Sequence, residues 1–190
     1  MQQGKLIIIS APSGSGKTSI IKHLMNAGIN LEFSISATCR QPRHNEKHGI
    51  DYHFLDYDAF MQKVNNNEFI EWEEVYEGTC YGTLKSEVER ITSAGRNMLL
   101  DVDVVGGVNI KNIYGNRAIS IFIEPPSIRE LHKRLTLRQT DSPEVIEKRI
   151  AKAEREMKYA VLFDTVVVND DLEEARRQTQ KIIETFIERQ

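Results

Sequence analysis

The sequence predicts an α/β protein: a parallel sheet covered by helices on both faces, with a small polar segment inserted into it. Three observations carry this. Short apolar runs rich in β-branched residues recur at 6–9, 98–100, 118–123 and 165–168, as strands buried on both faces do. Stretches of helical apolar spacing lie between these runs, the alternation of strands joined by crossover helices. Residues 34–92 break the pattern. They are polar and aromatic and carry short alternating segments, which reads as an inserted subdomain.

At 190 residues the chain suits one domain with embedded subdomains. Its 40% hydrophobic and 28% charged content is that of an ordinary globule with a sizeable core. A net charge of −3 supplies no basic field for nucleic acid, so none is expected as a partner. No apolar run approaches the roughly 20 residues of a membrane helix. Residues 1–5 lead into the first strand without a signal-peptide pattern. Cys39 and Cys80 lack metal-site spacing and read as free thiols of a cytoplasmic protein.

Taken in order, residues 6–9 form the first strand. A helix follows from Lys17, carrying Ile20, Ile21 and Leu24, and stops at Gly28 after Ala27. Residues 33–36 alternate like a half-buried strand, and 51–55 read as another. Asp56 caps a helix bearing Phe60, Met61 and Val64, ended by the asparagines at 65–67. Residues 69–81 are strand-like. Thr83 is expected to cap a helix through about Ala94, closed by Gly95. Residues 98–103 form a strand ending in Asp101 and Asp103, and 118–123 form the next. Ser127 and Glu130 make a capping box for a helix to about Arg138. Ser142 and Pro143 open another, to about Tyr159. Residues 165–168 are the fourth buried strand, and Asp170 and Asp171 precede the last helix.

The most informative stretch is Ala11-Pro12-Ser13-Gly14-Ser15-Gly16-Lys17-Thr18, between the first strand and the first helix. Strand, small-residue loop and helix are the context that a phosphate-binding loop requires. Gly14 and Gly16 let successive N–H groups turn inward, and the helix adds its positive end. Lys17 is expected on the β- and γ-phosphate oxygens, and the Thr18 hydroxyl on Mg²⁺. Ala11 replaces the first glycine of the usual pattern. Asp101 ends a strand at the edge where parallel sheets bind ligands, so it is the second candidate for Mg²⁺.

Two further constellations stand out. Arg134, Arg138 and Arg149 lie in a charge-rich helical stretch at 126–159, which reads as a lid. Guanidinium groups there would stabilise the charge on a transferring phosphoryl group, although a solvated helix face has the same composition. In the insertion, Arg40, Arg43, Tyr52 and Tyr81 would make a monophosphate site. Ser36, Glu71 and Thr83 would read a base. Glu71 accepts only, which suits the N1–H and 2-amino group of guanine, while Ser36 and Thr83 donate to O6. Adenine would leave these groups mismatched, at about 1–3 kcal/mol each. Taken singly, each of these residues also suits an ordinary strand or surface position.

Together these stretches resemble guanylate kinase, from Ile7 to about Leu172. The most specific pieces are the loop at 10–18, residues 33–43, 49–54 and 68–72, Tyr81-Gly82-Thr83, residues 100–103, 125–127 and 167–171. The resemblance implies a P-loop NTPase-type core at 1–33, 93–125 and 160–190, a GMP-binding subdomain at 34–92 and a lid at 126–159. It implies transfer of the γ-phosphoryl group of Mg-ATP to GMP, in purine nucleotide metabolism. By matching positions it adds Asp103 to the guanine-contacting set, Glu46 as the group that orients an arginine, and Asn169 near adenine. A monomer or small homo-oligomer is expected. Three departures, at Ala11, Val105 and Gln139, bear on rate and lid geometry. Three other readings are opposed by particular residues. A non-catalytic binding module of the same fold is opposed by the retained Lys17, Thr18 and lid arginines. A ribose bisphosphate kinase is opposed by the guanine-reading set, and a generic ATPase switch by the acceptor site as a whole.

Overall fold

The computed structural model describes residues 3–137 and 141–189. In chain order the elements are β1 (Leu6–Ser10), α1 (Lys17–Asn26), β2 (Leu31–Phe33), β3 (Ala37–Thr38), β4 (His53–Phe54), α2 (Tyr57–Asn65), β5 (Phe69–Tyr76), β6 (Thr79–Leu84) and α3 (Lys85–Ser93). These are followed by β7 (Asn97–Asp101), α4 (Val104–Tyr114), β8 (Ala118–Glu124), α5 (Ile128–Leu137), α6 (Pro143–Met157), β9 (Thr165–Val168) and α7 (Leu172–Glu188). The chain divides into two compact units: Leu6–Leu31 with Leu100–Gln190, and Glu32–Leu99 with the residues preceding β1.

The larger sheet has five strands in the order β2-β7-β1-β8-β9. Every residue of β1 is buried, as its unbroken apolar run requires. It runs parallel to β8, with Leu6 opposite Ala118 and Ser10 opposite Phe122. In turn β8 runs parallel to β9, from Ile121 opposite Thr165 to Glu124 opposite Val168. The expected alternation of strand and helix is therefore present, with two differences. First, β9 closes the sheet at one end, so of its residues Val167 is buried and Val168 is exposed. Second, β2 lies at the other end and is only half-buried, which left Leu31-Glu32-Phe33 without an apolar signature.

Helix α4 is absent from the sequence expectation for a physical reason. Val104-Val105-Gly106-Gly107-Val108 combines β-branched residues and glycines, all poor helix formers. Tertiary packing overrides that preference. Asp103 caps the helix, accepting the N–H groups of Val105 and Gly106 at 2.7 and 3.0 Å. Gly107 permits close approach to the sheet, since a Cβ there would lie 2.7 Å from Ser10 Oγ.

The second unit holds a four-stranded sheet in the order β4-β3-β6-β5. Strand β6 runs antiparallel to both β3 and β5. Helix α2, capped by Asp56 on the Ala59 N–H at 2.7 Å, sets Phe60 into a core with Ala37, Cys39, Phe69 and Cys80. Two expectations are corrected. Residues 34–36 form no strand; they connect β2 to β3. Thr83 does not cap α3. It remains in β6 with its hydroxyl on Glu71, and Leu84 takes the cap position.

Phe60 is fully buried and stacks on Phe69 with ring centroids 4.5 Å apart. Phe60→Ala is expected to destabilise the unit holding β3–β6 by about 3–5 kcal/mol, read as a lowered urea midpoint.

Candidate active site

The loop after β1 is shaped by two glycines in left-handed conformation, Gly14 at φ 94° and Gly16 at φ 91°. Gly16 is the N-cap of α1, so the first free N–H groups of the helix and the positive end of its dipole face into the loop. The loop is held from outside. Asn169, almost fully buried after β9, donates from Nδ2 to the Ser15 carbonyl at 2.6 Å. A Cβ on Gly16 would lie 2.3 Å from that Nδ2, so glycine is required by both backbone and space.

Lys17 pairs with Asp101 at the end of β7, and its Nζ also lies 3.5 Å from the Val102 carbonyl. Thr18 is exposed in the first turn of α1. A hydroxyl and a carboxylate are hard oxygen donors of the kind Mg²⁺ takes, so Thr18 and Asp101 suit it chemically. Glu156 of α6 is mostly buried. Burial pushes its carboxyl above the usual range, and the charges of Lys152 and Lys17 only partly offset this.

Arg134 of α5 donates to the Asn169 carbonyl at 2.9 Å and pairs with Glu130 one turn earlier at 3.4 Å. Arg149 of α6 donates to Ser13 Oγ at 3.0 Å and to Asp141 at 3.1 Å. Two of the three expected lid arginines therefore sit at the loop or at the residue that holds it. Arg138 and Gln139 lie outside the described residues. A cleft of about 350 Å³ opens here, lined by Gly14, Gly16, Ser19, Arg134, Asn169 and Leu172.

In the other unit, Arg40 is the hub. Its Nη groups form a bidentate pair with Glu46 at 2.6 and 2.7 Å, and its Nε donates to the Tyr81 hydroxyl at 2.9 Å. The guanidinium lies 4.9 Å from the Tyr52 ring centroid. Glu46 also accepts the Arg43 N–H at 2.8 Å, while the Arg43 residue is exposed. The Thr83 hydroxyl donates to Glu71 Oε1 at 2.7 Å across the β5–β6 ladder. Tyr81 and Thr83 are two apart on β6 and project from one face. The Arg40–Glu46–Tyr81 cluster and the Glu71–Thr83 pair thus share a surface, while Cys80 points to the opposite face, into the core.

A family model described as guanylate kinase matches residues 3–186. The curated guanylate kinase of Bacteroides fragilis is 58% identical over 97% of this chain and 91% of its own length. That of Porphyromonas gingivalis is 54% identical over 96% and 98%. The chain belongs to the guanylate kinase family. A crystal structure of guanylate kinase from Anaplasma phagocytophilum aligns with a TM-score of 0.78 at 29% identity, covering all of this chain and 89% of that one. The activity is that of an ATP:GMP phosphotransferase.

Against that family, some residues stand otherwise than pattern alone suggests. The Asp103 carboxylate caps α4, and its carbonyl accepts from Ser10 Oγ at 3.1 Å. The Asn169 side chain engages the loop backbone. The carboxylate partners of Arg134 and Arg149 are not among the site residues expected from the sequence. Glu130 had a readable signal, four residues before Arg134 on one helix. Asp141 had none, because it lies eight residues before Arg149 and outside the helix, where no spacing rule marks a pair.

The Arg40 guanidinium, helped by the Arg43 N–H, holds the Glu46 carboxyl at about 2. A lowered folded value means that the pairing stabilises above the ordinary carboxylate range and is lost as pH falls toward about 2. A carbon-detected NMR titration is expected to place the Glu46 midpoint near 2, returning to the ordinary range in Arg40→Met.

Proposed function

We propose that this chain transfers the γ-phosphoryl group of Mg-ATP to GMP in line, without a covalent enzyme intermediate, in the cytoplasm as part of purine nucleotide metabolism. The observation that carries the acceptor reading is the common face of β6. Tyr81 at one point meets Arg40, and Thr83 two residues on meets Glu71, which matches the phosphate and base ends of one nucleotide. Ser36, Glu71, Thr83 and Asp103 would read guanine. Arg40, Arg43, Tyr52 and Tyr81 would hold its phosphate, with Glu46 fixing the plane of Arg40. ATP would lie along Ala11–Thr18, with Asn169 toward the adenine side. The working division is a core at 1–33, 93–125 and 160–190, a GMP-binding subdomain at 34–92 and a lid at 126–159. The reading fits a monomer or a small homo-oligomer that needs neither nucleic acid nor membrane. No helix among the described residues is long and apolar enough to cross a membrane.

In the reaction, a GMP phosphate oxygen bonds to the γ-phosphorus as its bond to the β,γ-bridging oxygen breaks, releasing ADP and GDP. Lys17, Arg134, Arg138 and Arg149 would stabilise the charge on the equatorial and leaving oxygens. Thr18 and Asp101 would hold Mg²⁺, which draws charge from the phosphate oxygens when bound. The protein's remaining task is to orient both phosphates and keep water from the γ-phosphorus.

Coupled ADP release with Mg-ATP is the test. GMP is expected to be used at least about a hundredfold better than AMP, because a mismatched base leaves buried polar groups unpaired. Equal use of both would overturn the guanine reading. Lys17→Ala should lower kcat by about 10²–10³ while the protein still folds. A variant of normal rate would remove Lys17 from the phosphate site. Glu71→Gln should raise KM for GMP about tenfold or more and leave that for ATP unchanged. Equal changes for the two nucleotides would take Glu71 out of the acceptor site.

A further inference from the structure

The segment joining β2 to β3 carries Ser36, the proposed donor to guanine O6, and it has little sheet structure of its own. Three backbone groups hold it. Ser34 N–H donates to the Leu99 carbonyl at 2.9 Å, and the Ser36 carbonyl accepts from His53 N–H at 2.9 Å. Between them, the Ile35 N–H donates to a side chain, Glu87 Oε1, at 3.1 Å.

Glu87 lies in the first turn of α3 and is only 5% exposed. A carboxylate so buried needs compensation. Arg90, one turn later, donates from Nε to Oε2 at 2.9 Å and from Nη2 to Oε1 at 2.8 Å. Arg90 also pairs with Glu32 of β2 at 2.5 Å, and Glu32 pairs with Arg96 at 2.6 Å. Burial opposes ionisation of Glu87, but Arg90 and the Ile35 N–H outweigh it and keep the carboxyl below the usual range. The network therefore ties both ends of one strand-to-strand connection. Glu32 holds β2, and Glu87 holds the residue before Ser36.

We infer that Glu87 is a positioning residue for guanine selectivity: by accepting the Ile35 N–H, it sets Ser36 where its hydroxyl meets O6 of the acceptor base. This rests on the reading of Ser36 given above. The residue does not touch the nucleotide and acts only through the backbone. A side chain that merely held α3 to β2 would affect stability and both nucleotides alike.

The experiment compares Glu87→Ala, Glu87→Gln, Glu87→Asp and Ser36→Ala in steady-state kinetics. The acceptors are GMP and the 6-thioguanine ribonucleotide, which puts a weakly accepting sulfur in place of O6 and keeps the N1–H and 2-amino group that Glu71 reads. Glu87→Ala is expected to raise KM for GMP about tenfold, with kcat and KM for ATP within about twofold. Preference for GMP over the O6-lacking analogue should fall by a similar factor. Glu87→Gln keeps an oxygen for the Ile35 N–H and should restore most of that preference. Glu87→Asp draws the acceptor back by one methylene and should lose it in part, which keeps the test valid if the alanine variant does not fold. Ser36→Ala should lose the preference, and adding Glu87→Ala to it should cost no further selectivity. Retained preference in both Glu87→Ala and Glu87→Asp, or equal rises in KM for GMP and ATP, would overturn the inference. If Ser36→Ala loses selectivity and the Glu87 variants do not, only the inference falls. Unchanged selectivity in Ser36→Ala removes the reading of Ser36 and the inference with it.

Discussion

Anion-binding sites concentrate positive charge, and a folded chain has to hold that charge in place. In this protein each described cation of the proposed phosphate sites, apart from the exposed Arg43, has a carboxylate beside it. Lys17 has Asp101, Arg134 has Glu130, Arg149 has Asp141 and Arg40 has Glu46. Half-buried pairs near the surface contribute little to stability. Their value lies in direction. A lysine or arginine on a loop would otherwise sample many rotamers, and ordering it on binding would cost affinity.

The placement of those cations depends on two kinds of scaffold. Around the phosphate loop it is a parallel sheet whose central strand is wholly buried. Backbone pairing along β1 and β8 fixes where Ser10 ends and the loop begins. The loop is then held at its own backbone, by Asn169 on the Ser15 carbonyl, with Gly16 leaving room for that amide. In the other unit the sheet is small, and its second face is polar rather than packed. Side-chain bonds carry the precision there, including Thr38 Oγ1 on the Cys80 carbonyl at 2.8 Å and Thr83 on Glu71. A polar surface suits recognition of a base edge, because an unpaired donor or acceptor penalises the wrong base more than lost apolar contact does.

The corrections to the sequence reading share one cause. Thr83 carries the pattern of a helix cap, and Asp103 that of an acid at the end of a strand. Their observed partners, Glu71 and the first turn of α4, are set by chain packing. Helix α4 itself was invisible because its propensity is poor and its stability comes from contact with β1 and β8. The buried Glu87 looked like one charge among several on a helix. Only the folded chain shows it accepting a backbone N–H fifty-two residues earlier.

The sequence by itself determined the phosphate loop, the alternation of buried strands and helices, and the residue types of the proposed acceptor site. These are local: Gly and Ser permit the turn, β-branched runs make buried strands, and arginines and a glutamate in the right chemical company announce an anion and a base. Tertiary structure decided which groups face one another. It set Asn169 on the loop, Glu46 on Arg40, Thr83 on Glu71 and Glu87 on Ile35. Hydrogen bonds act over about 3 Å, whereas separation along the chain says almost nothing about separation in space.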